Sequence, residues 1–234
     1  MFRFKQFTVD QTGCAMKINT DGVLLGAMAV AENPAKILDV GTGTGVIALM
    51  LAQRYGDAEI DAVEIDADAA KTAAANFKNF PFSTLLQVFT SDIADFFETR
   101  AENKYDLIVS NPPFYINALE SPKANKSLAK HANIDFFERL IRDIAGNLSP
   151  DGVCWMVLPI STAFFLKDLA KQNSLYLQKT ISVHSFEDSK PHREIVCFGT
   201  KEVSADIVKF VIYQSKDRYA DGYKTLLQPY FLNF

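Results

Sequence analysis

A glycine-rich turn between a strand pattern and a helix pattern constrains the fold of this chain more than any other feature. The apolar segment Lys36–Val40 predicts a buried strand, residues 41–45 (GTGTG) follow it directly, and Val46–Tyr55 predicts a helix. Glycine has no Cβ, so the backbone of such a turn can approach a ligand closely. A strand, a tight turn and a helix in this order are typical of α/β proteins that bind a ligand at the turn.

Strand and helix patterns alternate along the rest of the chain and predict an α/β sheet. The last three strand patterns alternate in the manner of antiparallel strands. After the glycine turn, the predicted strands are Glu59–Ile65, Leu85–Phe89, Tyr105–Ser110, Val153–Leu158, Tyr176–His184, Glu194–Thr200 and Ile207–Tyr213.

Three segments between these patterns carry predictions of their own. Asp21 is a predicted N-cap of a helix that begins after it. Tyr115–Asn133 is polar and without periodicity, which predicts a long loop, and Ser149–Gly152 predicts a turn. The length of 234 residues fits one domain, 1–234, with a short N-terminal extension of about residues 1–33.

Acidic residues stand at or near the ends of the first strands. Glu64, about 20 residues after the glycine turn, is placed to accept hydrogen bonds from both hydroxyls of a ribose. Asp92 either accepts an adenine amino group or caps the helix after it, and Asp39 either holds the turn or meets an amino group of the ligand. Val46 stands where a dinucleotide fingerprint has Gly or Ala, which disfavours a hydride-transfer enzyme.

A second motif, Asn111-Pro112-Pro113-Phe114, follows the strand pattern Tyr105–Ser110. The side-chain oxygen of Asn111 and the carbonyl of Pro112 can accept both N–H groups of a planar amine. Proline removes backbone donors and stiffens the turn, which preorganises these acceptors. Phe114 is placed to stack on an aromatic ring. The alternative is a purely structural proline turn after a buried strand.

Together, the two motifs resemble those of class I S-adenosylmethionine-dependent methyltransferases that carry the [Asn/Asp/Ser]-Pro-Pro-[Tyr/Phe] sequence. The resemblance covers about Lys36–Leu158. It implies a Rossmann-like fold with a seven-stranded, mostly parallel sheet, an antiparallel final strand and helices on both faces. It also implies S-adenosylmethionine as cofactor, bound by Asp39, Gly41, Gly43, Gly45, Glu64, Asp92 and Asn111, and leaves adenine N6, cytosine N4, guanine N2 and glutamine amides open as targets.

The two ends of the chain are similar to those of the bacterial tRNA1(Val) adenine-N6-methyltransferases. The similar segments are Phe4–Val9, Met16–Ala27 and Tyr223–Leu232. This resemblance implies methylation of adenosine 37, with the anticodon stem-loop of a tRNA as partner. Two alternatives remain open: an amino methyltransferase for ribosomal guanine or protein glutamine, and a non-catalytic RNA-binding factor.

Contacts to RNA are expected from a localised basic face, because the net charge of −4 and the pI of about 5.4 do not indicate a nucleic-acid binder. The alternative for the basic candidates is a solvated surface, for the group at 17–21 an amphipathic helix capped by Asp21, and for Arg193 a plain hairpin tip. The candidates are Lys17, Thr20, Asp21, Lys123, Lys126, Lys130 and Arg193.

The remaining composition excludes several classes of protein. Three cysteines and three histidines are widely spaced and predict neither a disulfide framework nor a metal site. The chain has no apolar signal-peptide core and no run of 18 apolar residues. We therefore expect a cytoplasmic monomer without a metal ion or a membrane partner.

Overall fold

The computed structural model describes residues 1–80, 85–100, 104–113 and 123–234, and only the backbone of residues 123–133. The helices are α1 (Thr20–Met28), α2 (Val46–Arg54), α3 (Ala67–Lys78), α4 (Ile93–Thr99), α5 (Lys123–Asn147), α6 (Ile160–Gln172) and α7 (Asp221–Leu227). The strands are β1 (Phe2–Arg3), β2 (Thr8–Val9), β3 (Lys36–Val40), β4 (Glu59–Glu64), β5 (Leu86–Thr90), β6 (Tyr105–Ser110), β7 (Leu148–Leu158), β8 (Tyr176–His184), β9 (Pro191–Gly199), β10 (Asp206–Val211), β11 (Tyr213–Ser215) and β12 (Arg218–Tyr219).

The central sheet is Rossmann-like and mostly parallel, which confirms the predicted fold class. Its order is β10-β8-β9-β7-β6-β3-β4-β5, and β9 runs antiparallel to both of its neighbours. The order reverses at β3, which lies between β4 and β6. At such a switch point the loops after neighbouring strands diverge and leave a crevice at the carboxyl edge of the sheet.

The resemblance implied seven strands, whereas the sheet has eight, the number of strand patterns in the sequence. β10 is an eighth strand at the edge of the sheet, and it runs parallel to β8 rather than antiparallel. The alternating pattern of Ile207–Tyr213 marks a strand with one solvated face, and such a pattern does not encode the direction of the neighbouring strand.

Helices cover both faces of the sheet, as predicted. Ile37 on β3 packs into a cluster with α1, α2, α3 and α7, whereas its neighbour Leu38 packs with α4, α5 and α6 on the opposite face. Successive side chains of a strand alternate between faces, so each parallel strand contributes to both layers of the core. No helix in the described ranges is both long and apolar enough to cross a membrane.

Three local predictions were wrong. Asn19, not Asp21, is the N-cap of α1, and its Oδ1 accepts a hydrogen bond of 2.9 Å from the amide of Gly22. Residues 123–133, expected in a loop, belong to α5, because alanine, lysine and leucine favour a helix without apolar periodicity. Residues 115–122 of that predicted loop lie outside the described residues. The predicted turn Ser149–Gly152 lies within β7, at an irregularity in its pairing with β6.

The N-terminal segment packs against the C-terminal one. The amide of Lys5 donates to the carbonyl of Tyr230 over 2.7 Å, and the Lys5 ammonium donates to the carbonyl of Gln228. The guanidinium of Arg54 on α2 donates to the hydroxyl of Tyr230 over 2.9 Å and to three carbonyls at the end of α1. Phe4 and Tyr230 are both buried in the same apolar cluster, so the two ends of the chain share one core.

A buried carboxylate holds the glycine turn in place. Asp39 on β3 is fully buried, and its Oδ2 accepts hydrogen bonds from the Thr42 hydroxyl (2.6 Å) and from the Ala48 amide in α2 (3.2 Å). Its Oδ1 has no hydrogen-bond partner among the described residues. Burial raises the pKa of Asp39 to about 7, with the two hydrogen bonds opposing the rise.

Replacement of Asp39 by Asn should remove a pH-dependent part of the stability. The folded pKa of about 7 lies above the ordinary value of 3.8, so the folded protein retains a proton that the unfolded chain releases between these two pH values. The free energy of unfolding should therefore fall with rising pH in this window, by up to about 1.4 kcal/mol per pH unit from this group. Urea unfolding of wild type and Asp39→Asn across the window measures the difference. A pH-independent difference would contradict the assignment.

Candidate functional site

A cavity of about 440 Å³ opens at the carboxyl edge of the sheet, beside the switch point at β3. Its walls come mainly from five segments that are far apart in sequence: residues 14–19, 40–44, 63–66, 91–93 and 110–113. Four of these segments contain the ends of β3, β4 and β6 or follow the end of β5, because parallel strands deliver their carboxyl ends to one edge. The fifth, 14–19, precedes α1 and lies outside the sheet.

The glycine turn contributes an open wall. Gly41 and Gly43 have φ angles of +72° and +55°, and a Cβ on either would meet no atom of the described residues within 4 Å. These two glycines therefore leave space for a ligand to approach the backbone. Glycine is required at position 45 for a different, steric reason, because a Cβ there would lie 2.6 Å from the ring of Phe77. Gly45 permits the packing of α3 against the turn and does not line the cavity.

The carboxylate of Glu64 is fixed at the end of β4. Its Oε2 accepts a hydrogen bond of 2.8 Å from the amide of Gly43, and its Oε1 accepts one of 2.9 Å from the amide of Asp66. Each carboxylate oxygen retains a further lone pair, and the residue lines the cavity. Glu64 is therefore oriented to accept hydrogen bonds from the hydroxyl groups of a ligand.

Asp92 caps α4 and can also bind a ligand in the cavity. Its Oδ1 accepts a hydrogen bond of 2.8 Å from the amide of Ala94 and caps α4, which was the alternative interpretation of this residue. Asp92 also lines the cavity. Capping by Oδ1 leaves Oδ2 as an acceptor toward a ligand.

Asn111 presents an acceptor that the described protein does not use. It follows β6 directly, lines the cavity, and its buried Oδ1 has no hydrogen-bond partner among the described residues. A buried polar atom without a partner costs about 1–3 kcal/mol, so a ligand that donates to it would remove this cost. The neighbouring Ser110 hydroxyl donates to the carbonyl of Val40 over 3.0 Å and ties this position to β3. Pro112 and Pro113 also line the cavity, and Phe114 lies outside the described residues.

The residues predicted to contact RNA are not all at the cavity. Lys17 lines it, whereas Thr20 and Asp21 lie in the first turn of α1 and are not part of its walls. Arg193 donates to Asp21 over 2.8 Å, so these two residues form an ion pair between β9 and α1. Three further candidates belong to the N-terminal half of α5, and their side chains lie outside the described part of the chain: Lys123, Lys126 and Lys130.

Several cavity residues were missed from sequence. Ile65 follows Glu64 and is 69% exposed, an apolar side chain that the fold leaves at the cavity wall. Its position directly after a strand-ending acid is the signal that would have identified it. Phe136 reaches the cavity from α5, and Cys14 from the segment before α1, where burial raises the pKa of the thiol. No local pattern marks these last two, since only the tertiary fold brings them to the cavity.

Asp39 does not itself line the cavity; its hydrogen bonds support the turn that does. Among the described residues, no group of three or more histidine, cysteine or acidic side chains is placed to hold a metal ion.

Comparison with known proteins gives the family. The model of the methyltransferase small domain matches residues 19–164. A tRNA1(Val) (adenine(37)-N6)-methyltransferase from Pedobacter heparinus is 50% identical over 233 residues, which cover 100% of this chain and 98% of that protein. An enzyme of the same name from Bacteroides fragilis is 38% identical, over 99% of this chain and 97% of its own.

Solved structures agree with the fold. A structure described as a predicted O-methyltransferase from Agrobacterium tumefaciens has a TM-score of 0.68 at 16% identity, over 90% of this chain and 96% of that one. TrmN from Thermus thermophilus has a TM-score of 0.55 at 18% identity, over 76% of this chain and 47% of that one. These likenesses show the fold alone. The full-length identity to the curated relatives goes further: this chain belongs to the methyltransferase small-domain family and, within it, to the tRNA1(Val) (adenine(37)-N6)-methyltransferases.

Proposed function

We propose that the chain transfers the methyl group of S-adenosylmethionine to N6 of adenosine 37 in tRNA1(Val), and that Asn111 aligns the amine. The observation that carries this proposal is the buried Oδ1 of Asn111 in the cavity wall, which has no hydrogen-bond partner in the described part of the chain. An amide oxygen in that position suits an amino group that must be held in one orientation. The curated relatives, matched over nearly their full length, are named for this reaction.

The cavity residues fit S-adenosylmethionine. Gly41 and Gly43 leave room for the ligand beside the backbone, and Glu64 offers a fixed carboxylate to the ribose hydroxyls. Ile65 offers an exposed apolar surface to the adenine ring, and Asp92 an acceptor to its amino group. When bound, this cofactor supplies a methyl group on a positively charged sulfur, which keeps the electron pair of the broken carbon–sulfur bond.

The target amine needs activation, because its lone pair is delocalised into the adenine ring. Hydrogen bonds from its two N–H groups to Asn111 Oδ1 and to the carbonyl oxygen of Pro112 favour a pyramidal nitrogen with a free lone pair. The two prolines stiffen this turn, so the acceptors are in place before the base arrives. The amine becomes acidic only as the methyl group is transferred, and its proton then leaves to water without a strong general base.

The tRNA brings its target base to the cavity from the anticodon loop. Extrusion of a base costs a few kcal/mol from a duplex, and less from a single-stranded loop. In this proposal Phe114 stacks on the extruded adenine, as the motif predicts, and Lys17, Lys123, Lys126 and Lys130 contact the phosphates. An acidic protein with a localised basic face should bind RNA with modest affinity and strong salt dependence. We propose that the enzyme acts as a cytoplasmic monomer.

The proposed reaction is tested by incubating the purified protein with methyl-labelled S-adenosylmethionine and unmodified tRNA. Digestion to nucleosides should place the label in N6-methyladenosine, and a transcript with guanosine at position 37 should remain unlabelled. Label in a guanine of ribosomal RNA or in protein glutamine would instead support another amino methyltransferase. A protein that binds RNA but not S-adenosylmethionine would support a non-catalytic factor.

Replacement of Asn111 by Ala should remove one transition-state hydrogen bond and lower kcat by roughly 100-fold or more. Cofactor affinity, measured by titration calorimetry, should change by only a few-fold. Asn111→Asp keeps an acceptor oxygen and should retain more activity than Asn111→Ala. The exposed Asn233, replaced by Ala, is the matched control and should behave as wild type. An unchanged kcat in Asn111→Ala would refute the proposed alignment of the amine.

Replacement of Glu64 by Gln should weaken cofactor binding by about 10-fold or more, because a charge-assisted hydrogen bond contributes about 1.5–3 kcal/mol. Calorimetric titration with S-adenosylhomocysteine measures this change without turnover. Glu59 lies at the opposite end of the same strand, exposed and paired with Lys36, so Glu59→Gln is the matched control. Equal affinities in the two variants would mean that Glu64 does not hold the ribose.

A further inference from the structure

An exposed aromatic ring stands on the connection between β8 and β9. Phe186 is 42% exposed, although its backbone is firmly held. The Ser189 hydroxyl accepts from the Phe186 amide over 3.0 Å and donates to the Phe186 carbonyl over 2.8 Å, and the Ser189 amide donates to the same carbonyl over 3.1 Å. This turn presents a large apolar side chain to solvent in a defined position.

A column of tyrosine rings supports Phe186 from below. Its ring centroid lies 5.7 Å from that of Tyr213, which stacks on Tyr219 at 5.1 Å and an interplanar angle of 20°. Tyr219 in turn stacks on Tyr223 at 4.7 Å and 11°. One part of the Phe186 surface is thus packed against a rigid support, and the rest is available to another flat ring.

This connection lies at the same edge of the sheet as the cavity. His184 at the end of β8 pairs with Pro191 at the start of β9, and Glu194 pairs with Leu158 at the carboxyl end of β7. The ion pair between Arg193 and Asp21 fastens the start of β9 to the first turn of α1. Asn19 and Gly22, at the start of α1, line the cavity. The Arg193–Asp21 ion pair therefore joins the start of β9 to an element of the cavity wall.

Cationic side chains lie on the same connection and on the β11–β12 hairpin, which also carry the exposed carboxylates of Asp188 and Asp217. Lys190, Lys216 and Arg218 are exposed and make no ion pair with any described residue. Glu187, next to Phe186, is paired with Lys209 and is therefore neutralised. An exposed ring with unpaired cations on the same connection and on the supporting hairpin suits single-stranded nucleic acid, which offers bases for stacking and phosphates for ion pairs.

We propose that Phe186, Lys190, Lys216 and Arg218 form a second RNA-contact surface for the substrate tRNA. The ring of Phe186 stacks on an unpaired base near the target adenosine, and the three cations contact phosphates. This inference rests on the proposed function and extends it, because the surface holds the loop while the target base enters the cavity. Arg193 then acts as a strut between β9 and α1, instead of the phosphate contact expected from the sequence.

The test compares Phe186→Ala and Phe186→Tyr with wild type, using an unmodified anticodon stem-loop RNA of tRNA1(Val) as the probe. Fluorescence anisotropy should show about 5- to 150-fold weaker RNA binding for Phe186→Ala, the loss expected when about 1–3 kcal/mol of stacking is removed. KM for RNA should rise, with kcat and affinity for S-adenosylhomocysteine unchanged. Phe186→Tyr keeps a flat ring and should bind RNA as wild type does. Lys216→Ala should reduce the slope of log affinity against log salt by about one.

Ile207→Ala is the matched control, because this apolar residue is 76% exposed but lies near the amino end of β10, at the opposite edge of the sheet. Wild-type RNA affinity in Phe186→Ala would overturn the second surface while leaving the proposed reaction intact. Equal losses in Phe186→Ala and Phe186→Tyr would also overturn it, since stacking would not be the cause. Absence of N6-methyladenosine in the product of the wild-type enzyme would overturn both proposals.

Discussion

The geometry of the cavity depends on one buried carboxylate. Asp39 lies within β3, and its Oδ2 accepts hydrogen bonds from the Thr42 hydroxyl and from the first turn of α2. The turn between them must lie close to the sheet, because the amides of Gly41 and Thr42 donate to the carbonyl of Val63 on β4. A charged group is costly to bury, so burial raises the pKa of Asp39, while the hydrogen bonds that hold the turn oppose the rise.

The parts of the fold that were predicted correctly are those with a strong local signal. Buried parallel strands form continuous apolar runs, as Lys36–Val40 and Tyr105–Ser110 do, and the structure places both in the centre of the sheet. The predictions that were wrong concern positions where the local sequence is compatible with more than one structure. Asn19 and Asp21 are both good helix caps, and only the extended backbone of Asn19 decides between them. The direction of β10 depends on a crossover that no residue of the strand itself encodes.

Some residues of the site could likewise be predicted from sequence, and others could not. Residues at or directly after strand ends, such as Glu64 and Asn111, were predictable because the carboxyl ends of parallel strands meet at one edge. Phe136 and Cys14 were not, because they approach the cavity from a helix on one face and from a segment outside the sheet. The pairing of Arg193 with Asp21 was also hidden, since the two residues are 172 positions apart. The sequence therefore predicted most of the cavity residues at strand ends, with Ile65 as an exception, and the fold showed the others.

The contact between the two ends of the chain has a consequence for biosynthesis. Lys5 and Gln228 are 223 positions apart, so their hydrogen bond can form on the ribosome only after nearly every other element has emerged. The segment 14–19, which forms one wall of the cavity, has an earlier anchor, since Asn76 on α3 binds the backbone of Asp10. The first anchor forms when about a third of the chain is complete, and the second only near the end of translation. A nascent chain can thus anchor the segment that leads into residues 14–19 before the walls at 91–93 and 110–113 have emerged, and only the first residues of the chain are secured last.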